Sequence, residues 1–293
     1  MASISINSDL SIESDHQISN TEQQYINLLK FVLKDINFNK FTLITDDVAL
    51  DNDISGNDII GNDISGNDIE TNGETLLALT TTKNSKKYKL CSIWGLMLHK
   101  KIGDLLESSN QRLWSSKTAA AIWRGSTTGQ DYLIANKETR KYTRFNLVSK
   151  ASSRPDLIDA GFTSIVQYAS KNKQKFDLIM KKQMNQEEQS MYKYIVVADG
   201  NSGTYSYYWV LASGSVPLKQ ESEYVQYFEE KLQEYVHYVP IKRDFSDLFE
   251  KIMWLRLNDS KAQEIANNAM KFAKEHFNIQ LLKEQIIKCI NDK

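Results

Sequence analysis

The sequence predicts an α/β fold with a mostly parallel sheet, and three observations carry that prediction. Short apolar runs recur along the chain, each ending in a polar or glycine turn: "KTAAAIW" into Arg124-Gly125-Ser126, and Tyr194 to Ala198 into Asp199-Gly200-Asn201. Helical stripes separate such runs, as parallel strands joined by crossover helices require. The turns follow the carboxyl ends of the strands, which is where open sheets of this class bind ligands.

The elements follow in order. Residues 1–22 are polar, acidic and rich in Ser and Asn, and are expected to be a disordered tail, since such composition buries too little apolar surface to offset the entropy of ordering. Tyr25, Leu28, Leu29, Val32, Leu33 and Ile36 lie at helical spacing. Phe41 to Ile44 reads as a short strand leading into Thr45, Asp46 and Asp47. The run "NDISGNDIIGNDISGNDIETNG" (52–73) follows, with near-copies of one five-residue unit. A single coil of such repeats has no stacked neighbour to bury its core, and its acids are not spaced as in a calcium loop. It is therefore expected to be a flexible insertion.

Residues 75–82 and 88–98 are mixed apolar segments of unsettled type. After "KTAAAIW" and "YIVVADGN", the runs "SGSVPLK" and "HYVPI" read as further strands. Asp247 with Glu250, and Ser260 with Gln263, form capping-box patterns that predict two helix starts. The second opens a stripe of Ile265, Ala269, Phe272 and Ala273, and a last helix carries Leu282, Ile286 and Ile290.

Composition narrows the function classes. The 293 residues are 41% hydrophobic and 10% aromatic, enough for a substantial core. With a net charge of −1 the chain has no global field for a polyanion, so nucleic acid is not an expected partner. Cys91 and Cys289 lack the spacing of a disulfide framework or zinc site, which fits a reducing cytoplasm. The amino end lacks the pattern of a signal peptide and no apolar stretch is long enough to span a membrane, although peripheral membrane contact stays open.

The turns suggest anion binding. "WRGSTTGQDY" combines an arginine, a glycine and hydroxyl side chains, the groups a diphosphate needs, but it is neither a Walker loop nor a GxGxxG turn. "ADGNSGTYSYYWVLASGSVPLK" places small polar residues before a helix that would pack through Trp209. His237 is expected to be structural, since no Ser or Cys nucleophile motif accompanies it.

Taken together, "AAIWRGSTTG", "RFNLVSKASSRPDLIDAGFT", "YKYIVVADGNSGTYSYYWVLASGSVPLKQESEYVQYF", "VHYVPIKRDFSDLFEKIMWLRLND" and "AQEIANNAMKFAKEHF" resemble glycosyltransferase family 90 over residues 118–277. That family includes capsule-associated and lipopolysaccharide-modifying enzymes and the protein O-glucosyltransferases. The resemblance implies a GT-B architecture: a small N-terminal acceptor-side lobe (23–115) interrupted by the 52–73 insertion, facing a nucleotide-sugar-binding lobe (116–293). It implies an inverting transfer from a nucleotide sugar, UDP-linked glucose or a similar sugar, to a hydroxyl of a glycan such as lipopolysaccharide or capsule, with neither metal nor cofactor. It places Arg124, Gly125, Ser126, Arg144, Asp199, Gly200, Asn201, Ser206, Ser215 and Glu221 on the donor side, with both arginines against diphosphate charge. It also makes Asp47, then Asp46, the expected catalytic base. Ser206 stands where many members carry an arginine, which with the short, interrupted N-terminal lobe keeps open a weak or inactive member that binds nucleotide or glycan; a protein O-glycosyltransferase is a second alternative, against which the lack of a signal-peptide pattern and the two cysteines weigh.

Overall fold

The computed structural model describes residues 3–14, 16–38, 40–44, 75–83, 85, 88–129, 144–166 and 179–291. Asp46, Asp47 and the repeat at 52–73 lie outside them. The chain divides into two compact units, one of residues 1–97, 223–229 and 279–293, the other of 98–222 and 230–278.

The first unit holds a five-stranded sheet in the order β2-β1-β3-β4-β6, formed by β1 (Ser3–Ile6), β2 (Ile12–Ser14), β3 (Phe41–Ile44), β4 (Thr75–Ala78) and β6 (Lys89–Leu90). The expected disordered tail is corrected here. β1 pairs antiparallel with both β2 and β3, and Ile4 and Ile6 are fully buried. The polar composition concealed a period-2 alternation, Ser-Ile-Ser-Ile, which is the pattern of a half-buried strand. Helix α1 (Asn20–Leu33) starts on a capping box, Ser19 with Glu22, and buries Tyr25, Ile26, Leu29 and Leu33. A two-stranded ribbon joins β5 (Thr81–Thr82) to β11 (Tyr224–Val225). The last helix, Ile279–Asn291, belongs to this unit. Its Gln285 amide donates to Leu90 O at 2.8 Å, and Ser92 Oγ donates to Leu282 O at 2.7 Å.

Helix α2 (Ile93–Gln111) begins in the first unit and ends in the second. The second unit carries an all-parallel sheet in the order β12-β10-β9-β7-β8. Its strands are β7 (Thr118–Ser126), β8 (Ile158–Ser164), β9 (Tyr192–Val197), β10 (Val216–Gln220) and β12 (Val239–Ile241). Parallel strands covered on both faces read as continuous apolar runs, and β10 is buried at every position. One core joins Ala121, Trp123, Tyr194, Val196 and Leu218 of the sheet to Leu147 and Val148 of α3 (Arg144–Ala151) and to Leu248 and Ile252 of α4 (Leu248–Leu257). Helix α5 (Ser206–Ala212) packs on β9, β10 and the long helix α6 (Asp259–His276). The stripe on α6 is Ala262, Ile265, Ala266, Ala269, Phe272 and Ala273, as its spacing predicts.

Both expected capping boxes are absent, although helices start nearby. Asp247 precedes α4 but accepts from Lys242 N, and Ser260 lies inside α6 behind Asn258. The Lys242 amide thus takes the Asp247 carboxylate that local spacing had assigned to a cap. Asp259, in the first turn of α6, accepts from Lys193 Nζ at 2.8 Å and Trp114 Nε1 at 3.1 Å.

Candidate active site

Strands β7 and β9 are neighbours, so their carboxyl ends bring Arg124 to Gly129 beside Ala198 to Asn201. The strand β7 itself runs through Arg124-Gly125-Ser126, which the sequence had suggested as a turn; the loop starts at Thr127. Strand ends leave backbone carbonyls without ladder partners. Arg144, the first residue of α3, meets several of them. Its Nε donates to Asp199 O at 2.8 Å, Nη2 to Ala198 O at 3.2 Å, and Nη1 to Ser126 O at 3.3 Å and to Thr128 Oγ1. The guanidinium lies 5.6 Å from the Trp123 ring centre. Burial lowers its pKa to about 10, with Asp199 partly opposing the shift, so it stays charged at neutral pH.

A guanidinium has five N–H groups, and these contacts commit four. Arg144 therefore ties two strand ends together through four of these N–H groups. Arg124 is committed as well. Its Nη2 donates to Asp159 Oδ2 at 2.6 Å, Nη1 to Asp159 O and Trp123 O, and Nε to Lys182 O. Only 7% of its side chain is exposed. Asp159, on edge strand β8, also pairs with Lys181. Burial pushes that carboxyl up, but its hydrogen bonds to Arg124 and Lys181 outweigh this and hold it below the usual carboxylate range.

The glycines serve the same packing. A Cβ at Gly125 would lie 2.6 Å from Trp123 Cζ2, so the bare backbone makes room for the indole beneath Arg144. A Cβ at Gly200 would meet Arg144 Nη2 at 3.0 Å and Thr128 Oγ1 at 3.1 Å. Asn201 Oδ1 accepts from Gly129 N at 2.8 Å, which joins the two loops, and Ser126 Oγ lies 3.2 Å from Thr128 Oγ1. Ser206 opens α5 with its hydroxyl 3.0 Å from that of Thr204. Glu221 is exposed just beyond β10.

Ser215 is the clear displacement from expectation. It precedes β10, at the amino ends of the strands, where its Oγ donates to Tyr192 O at 2.6 Å and accepts from Lys117 Nζ at 2.8 Å. Strand β9 separates the two ends: Tyr192 is its first residue, and Asp199 lies beyond its last. "SGSVPLK" reads as one strand, but Gly214 at φ +64° turns the chain before the strand begins at Val216. His237 is structural: its Nδ1 accepts from Gln233 N at 3.0 Å and its ring packs on Phe272.

Asp199 is the acceptor the site leaves open. Its backbone N–H donates to Gln220 Oε1 at 2.9 Å, and Gln220 Nε2 donates in turn to Arg243 O at 2.7 Å. Carboxylate Oδ1 is buried without a hydrogen bond, 3.6 Å from Lys219 Nζ. The side chain keeps 14% exposure, so the accessible edge is Oδ2. Sequence reasoning missed Lys219 and Gln220. Their signal was present, because a lysine and a glutamine inside a fully buried strand are the informative exceptions in an apolar run. Among the described residues, no group of three His, Cys, Asp or Glu side chains is placed to hold a metal ion.

The model of glycosyl transferase family 90 matches residues 94–291, more than half of the chain. The chain belongs to that family. Human protein O-glucosyltransferase 3 is 34% identical over 162 residues, which cover 55% of this chain and 29% of that protein. Zebrafish (Danio rerio) protein O-glucosyltransferase 2 is 31% identical over 164 residues, 56% of this chain and 30% of that one. The family member described here thus spans less than a third of the length of these relatives. A solved structure of Anabaena HepE in complex with UDP-glucose aligns with a TM-score of 0.42 at 12% identity, over 65% of this chain and 53% of that one. Among the described residues, no helix is long and apolar enough to cross a membrane.

Proposed function

We propose that the chain is an inverting glycosyltransferase of GT-B type that binds a UDP sugar, UDP-glucose first, on its second unit and transfers the sugar to a hydroxyl. Family membership supports the reaction class. The observation within the site that supports donor binding is the open Oδ2 edge of Asp199 at the carboxyl ends of a parallel sheet, where such folds bind nucleotides. A carboxylate there accepts from ribose or sugar hydroxyls. In the transfer, the acceptor oxygen attacks the anomeric carbon from the face opposite the diphosphate. The bond from that carbon to the phosphate oxygen breaks, its electron pair leaves with UDP, and a base takes the acceptor proton. That base is Asp47, with Asp46 second.

The acceptor class divides two readings. A glycan hydroxyl, as in lipopolysaccharide or capsule, is the first; a protein serine is the second, favoured by the names of the relatives. Incubation with radiolabelled UDP-glucose, UDP-xylose and related donors tests both, using oligosaccharides in one arm and a folded serine-bearing domain in the other. Donor hydrolysis or transfer that disappears in Asp47→Asn is the expected result. A chain that binds UDP but neither hydrolyses nor transfers with either acceptor class is instead a binding member of the family.

A further inference from the structure

Lys219 is one of the most enclosed cations of the second unit, with its side chain only 7% exposed. It sits at the carboxyl end of β10, where its Nζ donates to Gln220 O at 3.0 Å and lies 5.8 Å from the Tyr207 ring centre. It also lies 3.6 Å from the buried Asp199 Oδ1. The next residue, Gln220, holds the Asp199 backbone through its own side chain. Two consecutive residues of one strand thus grip the same aspartate, one by the peptide and one by the carboxylate.

We propose that Lys219 is a positioning residue: its ammonium fixes Asp199 through Oδ1, so that Oδ2 faces the hydroxyls of a bound nucleotide sugar. The inference rests on the donor-binding reading above. Without Lys219 the carboxylate would lose the cation that lies against its buried oxygen, Arg144 being engaged with the Asp199 carbonyl, and a buried carboxylate that loses a partner turns or draws in water to recover solvation. Either response moves Oδ2 away from the ligand. The ammonium itself need not touch the ligand, and its burial keeps it back.

Calorimetric titration of the full chain with UDP and with UDP-glucose tests this, using Lys219→Met, Lys219→Arg, Asp199→Asn and the Lys219→Met/Asp199→Asn double variant, each checked by thermal melting. Lys219→Met is expected to weaken binding by about tenfold or more, and Lys219→Arg to recover most of the loss. The double variant is expected to bind no more weakly than Asp199→Asn alone, because the lysine acts only through the aspartate. A loss confined to UDP-glucose assigns Oδ2 to the sugar, and a loss shared with UDP assigns it to the ribose. Additive losses in the double variant, or a folded Lys219→Met chain with unchanged affinity, overturn the proposal. If Lys219→Met does not fold, Lys219→Arg and the double variant still decide it. A wild-type chain that binds neither ligand overturns the donor-binding reading itself, and this inference with it.

Discussion

The two ends of the second unit's sheet solve one problem differently. Each end holds a buried cation against main-chain carbonyls. At the carboxyl end Arg144 bonds Asp199 O, Ala198 O and Ser126 O, with an aspartate beside it whose outer oxygen stays open. At the amino end Lys117 bonds Ser213 O at 3.1 Å and Ser215 Oγ at 2.8 Å, and its side chain has no carboxylate among these contacts. Burial, with a smaller contribution from Arg112, lowers the Lys117 pKa to about 7. The difference lies in the acceptor that only the carboxyl end keeps open. The carboxyl end keeps a carboxylate oxygen among its cations, whereas the Lys117 amine at the amino end meets a carbonyl and a hydroxyl.

The sharpest way to break this contrast is at Arg144. Arg144→Met leaves three strand-end carbonyls without their donor and is expected to destabilise the second unit by about 3 kcal/mol, read as a fall of roughly 10 °C in its melting transition. A melt within a degree or two of wild type would show that Arg144 is not a structural tie.

Lys117 should matter through pH. Its folded pKa lies near 7 against 10.5 for an ordinary lysine. Between those values the unfolded chain binds the extra proton, so folding stability rises with pH across that window and is flat below it. From pH 7 to 9 the gain is on the order of 2 kcal/mol. Lys117→Met removes this term, so the melting difference between wild type and variant should change steadily between pH 7 and 9. Parallel curves would place the amine in a better solvated setting.

The smallest effect is expected at Ser215. Ser215→Ala loses the bridge from Lys117 to Tyr192 O and should cost about 1 kcal/mol, while UDP affinity stays at the wild-type value. A large loss of affinity with a normal melt would return Ser215 to the donor side of the sheet.

Local pattern accounts for a defined share of this protein. The parallel strands of the second unit, the stripe on α6 and the loops after β7 and β9 are periodic features within short windows, and family resemblance covered the same region. The alternation in Ser3–Ile6 was equally local, but the polar composition around it pointed the other way. Partner choice is not local. Arg144 and Asp199 are 55 residues apart in sequence, Arg124 and Asp159 are 35 apart, and Lys117 and Ser215 are 98 apart. A sequence states that an arginine near a strand end carries charge, but not whether carbonyls will consume it before a phosphate can. That outcome depends on which strands lie side by side and which end of the sheet a turn occupies. Those are matters of chain topology, and there tertiary structure turned Ser215 into a brace and left Asp199 as the open acceptor.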